Sequence, residues 1–213
     1  MWDRLGWLTP LIGVVFVAMF AAGILLSGNT PNSDVSGKTV IAFFQDNKSR
    51  QVAGNGILAL SGLVFVFFAA AVWAHLRRRD AGREVAMIGF AGSVMLAVGA
   101  GILAGLVFAL TDVPDKLDPS AAQALNVLSS DLFFPLLLGG AAFAIGNGLA
   151  IARTGALWAW FGWIGVVIGV AVPTPAAPFA GILFLAWVLA LSILLFVRRE
   201  AGVATPVPTT ATT

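Results

Sequence analysis

Gly56-Ile-Leu-Ala-Leu-Ser-Gly-Leu-Val-Phe-Val-Phe-Phe-Ala-Ala-Ala-Val-Trp-Ala-His75 is an uncharged run, followed at once by Leu76-Arg-Arg-Arg79. A helix needs roughly 20 predominantly apolar residues to cross bilayer hydrocarbon, and this run supplies them. The arginine cluster behind it is the kind of signal that fixes a span's cytoplasmic end.

Five more stretches meet or approach the same length on either side of it: about Leu5–Leu26, Val85–Leu110, Leu132–Ala152, Leu157–Val172 and Pro178–Val197. Leu157–Val172 is the shortest. It turns into the last stretch through Pro173-Thr-Pro175-Ala-Ala-Pro178, prolines that end one helix and begin the next. Leu5–Leu26 reads as a retained helix and not a cleaved signal peptide. Its leader Met1-Trp-Asp-Arg4 holds one acid and one base, its apolar core is long, and no clear Ala-x-Ala site follows Ser27. The expected fold is therefore all-α, a polytopic membrane bundle of six transmembrane helices over residues 1–199, with a small, polar, proline-containing and disordered cytoplasmic tail over 200–213.

Composition agrees. Of 213 residues 59% are hydrophobic and 10% charged, against about 25% charged in an average soluble domain, and the mean hydropathy is +0.96. Lipid can solvate that much apolar surface where a soluble core of this size could not hide it. Cysteine is absent, which removes disulfides, thiolate metal sites and cysteine nucleophiles together. The net charge of +2 does not point to nucleic acid, because the basic residues are dispersed between apolar runs. The arginine bias, with abundant Ala, Gly and Val, fits a GC-rich bacterial genome.

If the N-terminus is cytoplasmic, Arg4, Arg77, Arg78, Arg79, Arg83, Arg153, Arg198 and Arg199 lie inside and Lys38, Lys48, Arg50 and Lys116 outside, eight against four. That obeys the positive-inside rule. Six of the seven tryptophans (Trp2, Trp7, Trp73, Trp158, Trp160 and Trp163) fall at the same cytoplasmic ends, where indole rings favour the interface. The expected location is the bacterial inner membrane, with both termini cytoplasmic.

Two outer segments exceed what a turn needs. Ser36 is a plausible N-cap for a short amphipathic helix carrying Val40, Phe43, Phe44 and Asn47 on one face. Asp118-Pro119-Ser120 reads as a cap with proline at the first helical position, leading a stripe of Ala121, Leu125, Leu128 and Leu132 into the fourth span. The plan of span, outer helix, span over 1–80 and 84–153 suggests a weak hairpin repeat, with independent origin of the two surface helices as the alternative.

Polar groups at membrane depth are the candidate functional residues. Asp131 begins the fourth span beside Asn126, Ser129 and Ser130; Asn147 lies deep in that span, and Asn55 opens the second. Partly desolvated, Asp131 could exchange a proton or pair with a cation; at headgroup level it could equally stay in water. Asn147 suits interhelical hydrogen bonding better than ligand binding. His75, the only histidine, sits beside three arginines at the interface, where proton relay is disfavoured. Asp112, Asp115 and Asp118 are spaced by three, but without the EF-hand pattern they read as a solvated loop. Gly99, Gly101 and Gly105 include a Gly-x-x-x-Gly, as do Gly165 and Gly169, and Gly140, Ala144 and Gly148 continue the small-residue theme. These predict close helix packing, within the chain or against a partner. No metalloprotease, nucleophile-elbow or phosphate-loop pattern is present, and no metal or cofactor is expected.

Gly146-Asn-Gly-Leu-Ala-Ile-Ala-Arg-Thr-Gly155-Ala-Leu-Trp-Ala-Trp-Phe-Gly-Trp-Ile-Gly165, with its short basic turn, resembles the penultimate hairpin of a widespread group of multi-pass membrane proteins of GC-rich bacteria that carry a domain of unknown function. Phe43-Phe-Gln-Asp-Asn-Lys-Ser-Arg50 is also similar to that group. The resemblance implies fold and compartment and no activity. For function the expectation is a non-enzymatic partner or assembly subunit, in contact with the bilayer and with a membrane protein partner or a second copy. One alternative is a small transporter or channel with a polar cavity near Asp131 and Asn147, lined also by Asn126 and Asn55. The other is an intramembrane enzyme acting on a lipid or isoprenoid.

Overall fold

A computed structural model of the chain describes residues 11–77, 82–112 and 114–203. The helices are α1 (Ile12–Ser27), α2 (Gly37–Asp46), α3 (Lys48–Leu76), α4 (Arg83–Asp112), α5 (Pro119–Asp131), α6 (Phe133–Thr154), α7 (Ala159–Ala171) and α8 (Ala177–Val203). Residues Arg4, Arg78, Arg79, Trp2 and Trp7, on which part of the expected orientation rests, lie outside the described residues. So does the start of the first apolar stretch. The tail expected from residue 200 is helical as far as Val203, and the remainder also lies outside the described residues.

Local chemistry sets the boundaries. The Ser36 side chain accepts a hydrogen bond from the Thr39 amide at 3.3 Å, and Asp118 accepts one from the Ser120 amide at 2.8 Å. Each cap satisfies a donor that the first helical turn leaves orphaned. The hydrogen bonds from Ser120 hold the exposed Asp118 carboxyl below its usual range. Gly155 ends α6 in the left-handed region, φ 60°, a conformation that costs glycine nothing. Pro135 cannot donate to the carbonyl of Asp131, and the helix is interrupted for one residue, Leu132, between α5 and α6.

Four stretches are long and apolar enough to cross a membrane: Lys48–Leu76, Arg83–Asp112, Pro119–Thr154 (through α5 and α6) and Ala177–Arg198. Four of the six expected spans are thus met by length and composition among the described residues, and six are not confirmed. Ile12–Ser27 and Ala159–Ala171 are apolar but shorter. At 13 residues, α7 rises about 20 Å between the Gly155 turn and Pro173.

Successive apolar helices pack antiparallel: Gly13 lies at Phe68, Gly62 at Ala97, Gly92 at Phe143 and Gly148 at Val166. The circuit α1–α3–α4–α6–α7–α8 closes where α8 returns to α1. Arg77, Arg83, Arg153 and Arg198 thereby share one end of the bundle. At the opposite end α2 and α5 pack together as a cap, with a small core of Val40, Phe44, Val107, Leu110 and Ala122. The main core is aromatic. Phe65 lies 4.3 Å from Phe16 and 4.5 Å from Phe143, ring centre to ring centre, and Phe184 and Trp187 extend the cluster into α8. In lipid there is no hydrophobic gain from bringing apolar helices together, so such packing contacts carry the association.

Candidate functional site

The polar residues singled out from sequence go to separate junctions. Asn55, buried on α3, donates from Nδ2 to Ser27 Oγ at 3.3 Å and to the Gln51 carbonyl and Oε1 at 3.0 and 3.2 Å. Gln51 donates to the Ser27 carbonyl at 2.8 Å and Arg50 to the Leu26 carbonyl at 3.2 Å. The last carbonyls of α1 have no helical partner of their own, and α3 supplies those partners. Gln51 is fully buried and the sequence reading passed over it. Its i, i+4 spacing to Asn55 at the head of an apolar helix was the available signal.

Asn126, buried on α5, donates to the Pro31 and Asn32 carbonyls at 3.3 and 3.2 Å. It latches the segment after α1 onto the cap. Asn147, buried on α6, donates to the Phe143 carbonyl at 2.9 Å and presses on Gly89 of α4. Its Oδ1 is buried with no hydrogen-bond partner, as is Trp73 Nε1. Asp131 is exposed at the end of α5. These four residues do not line a common cavity. Among the described residues no group of three His, Cys, Asp or Glu side chains could hold a metal ion.

The glycines divide as sharply. Gly148 approaches Gly162 and Val166 on α7, Gly169 approaches Ala141 and Ile145, and Gly165 receives the Trp187 ring of α8. Gly140 has only ordinary van der Waals neighbours, Leu96 and Phe184 at 3.7 Å. A Cβ on Gly101 or Gly105 would meet nothing within 4 Å, so this chain does not use that pair for packing. The α4–α6 seam is made instead by Gly89, Gly92 and Gly99 against Gly139, Gly146 and Leu136. At about 100° per residue, Gly101 stands roughly 200° round the helix from Gly99. A seven-residue step from Gly92 to Gly99, matched by Gly139 to Gly146, was the sequence signal for the true seam.

A cavity of about 490 Å³ opens between α1, α6 and α8 in the half of the bundle nearer the cap. Its walls are Phe20 and Ile24 of α1, Phe133, Leu136, Leu137 and Gly140 of α6, the first turns of α8, and Leu96 and Val172. None of these side chains is polar. None of the sequence candidates for ligand binding reaches it; of the packing glycines, Gly140 does. Comparison with protein-family models, curated proteins and solved structures finds no match.

Proposed function

We propose that this protein is a non-catalytic subunit of a membrane assembly, held in a bacterial inner membrane by six crossings with both termini cytoplasmic, in keeping with the sequence resemblance. The observation that carries the reading is α7. Its 13 residues fall about 10 Å short of bilayer hydrocarbon of about 30 Å, and short spans are accommodated by thinning, snorkelling or association with other helices. One side of α7 packs on α6 and α8; the other side presents Trp163, Val167 and Val170, each more than half exposed. A partner's transmembrane helix laid along that side shields the short span from the mismatch.

The disposition of the polar groups supports the same reading. Asn55 and Asn126 spend their amide donors on backbone or side-chain oxygens within the chain. Acid–base catalysis needs groups placed together at one depth, and a permeation path needs polar groups along one cavity. Asn55, Asn126, Asn147 and Asp131 are not disposed in either way. The test is a photo-crosslinking side chain at Val167, compared with one at Ile88 on the outer face of α4 (56% exposed). A specific polypeptide adduct from position 167 and none from 88 supports the reading; lipid adducts alone from both positions oppose it.

A further inference from the structure

The geometry points to the cavity between α1, α6 and α8 as a binding site for one acyl chain of a membrane phospholipid, taken from the leaflet on the cap side. At about 490 Å³ it lies within the range of about 300–1,000 Å³ typical of ligand sites. It has a structural origin. The second half of α8 is clamped to the bundle: Trp187 stacks on Phe161 at 5.5 Å and donates from Nε1 to the Phe161 carbonyl at 3.1 Å. In the first turns Ala180 and Phe184 are buried, while Phe179 is 76% and Ile182 68% exposed, and Ile182 borders the cavity mouth. Gly140 and Gly181 place no side chains in the gap, and a Cβ on Gly181 would meet nothing within 4 Å.

Depth and wall chemistry choose the occupant. The lined stretch of α8 runs from Ala177 to Leu185 and rises about 12 Å, close to one leaflet's share of about 30 Å of hydrocarbon. Water entering the cavity would need two to four polar partners, and the wall side chains offer none. Left empty, the cavity would forfeit dispersion contacts along its whole lining. An acyl chain restores them, while its charged headgroup stays above the walls, where burial would be costly. The site lies on α1, α6 and α8 and is independent of the outer side of α7.

The experiment uses the full chain reconstituted in phosphatidylethanolamine vesicles doped with a phosphatidylcholine bearing a diazirine on one acyl chain, with adducts mapped by peptide mass spectrometry. Expected are adducts concentrated at Phe133, Leu137 and Ile182, saturating near one lipid per chain. Gly181→Phe, which fills open space, lowers them at least fivefold at unchanged thermal stability. Gly101→Phe, equally open but on the outer face of α4, leaves them intact. Should Gly181→Phe fail to fold, Gly140→Val makes the same test, because its Cβ has only ordinary contacts. Adducts spread over all exposed helix faces in proportion to exposure overturn the proposal, as does undiminished labelling of a folded Gly181→Phe. Labelling by a diazirine fatty acid but not by the phospholipid overturns the choice of occupant.

Discussion

Gly92→Ala and Gly101→Ala place the same methyl group on the same helix, and their effects should have opposite signs. A Cβ on Gly92 falls 2.5 Å from the Phe143 amide nitrogen, 2.7 Å from the Gly139 carbonyl oxygen and 2.8 Å from the Ala142 Cβ. Two of those three atoms are backbone and cannot rotate away, so α4 and α6 must part. A separation of roughly 0.5–1 Å forfeits a quarter to a half of the dispersion energy of the contacts it opens, and overpacking of this kind costs about 1–3 kcal/mol. At Gly101 nothing lies within 4 Å, so only the gain in helix propensity remains, about 1 kcal/mol. Both variants share that gain, so their difference isolates the overpacking, about 1–3 kcal/mol. Equilibrium unfolding in mixed micelles on a rising SDS fraction, followed by tryptophan fluorescence, measures it. Gly92→Ala should unfold at lower SDS than the parent chain and Gly101→Ala at equal or higher SDS. If Gly92→Ala unfolds with or after Gly101→Ala, α4 and α6 do not meet along this seam.

Three other outcomes follow from the same contacts. Asn126→Ala removes two hydrogen bonds to the Pro31 and Asn32 carbonyls, each contributing about 0.5–1.5 kcal/mol; amide exchange in residues 28–36 should quicken, and an unaltered rate argues that the segment is held by something else. Gln51→Leu leaves the Ser27 carbonyl buried without its donor, for about 1–3 kcal/mol of lost stability, and a variant as stable as the parent chain would remove Gln51 from the account of how α1 ends. The Asp118 carboxyl sits below its usual range because Ser120 hydrogen-bonds it, so its cap is intact above the ordinary carboxylate pKa and is lost as pH falls through the lowered value. Exchange of the Ser120 amide should therefore rise at acid pH in the parent chain beyond what intrinsic exchange gives, and lose that pH step in Asp118→Ala.

What the sequence made legible is governed by local rules. Ser36 and Asp118 announced their helices because a cap bonds within three residues of itself, and the long uncharged runs of α3 and α4 needed only a count of apolar residues. The reading faltered where the deciding contact is remote. Gly101 and Gly105 have the spacing of a packing motif, yet spacing defines a face and does not say which face meets a neighbour. Of that glycine patch only Gly99 joins the seam, with Gly89 and Gly92. The asparagines stood out in the sequence as polar residues beside or within long apolar runs. Their partners, however, are separated in sequence by up to 95 residues, so nothing in the chain order told a shared cavity from isolated latches. The apolar cavity left no mark at all, since its walls come from α1, α6 and α8, which are remote from one another in sequence.

The central claim is that this chain works as a subunit beside another membrane protein, and native mass spectrometry of material gently extracted from its own membrane tests it most directly. A second polypeptide should be retained at fixed stoichiometry and released when Val167 and Val170 are replaced by arginine. A chain that leaves the membrane as a monomer, or only with copies of itself, contradicts it.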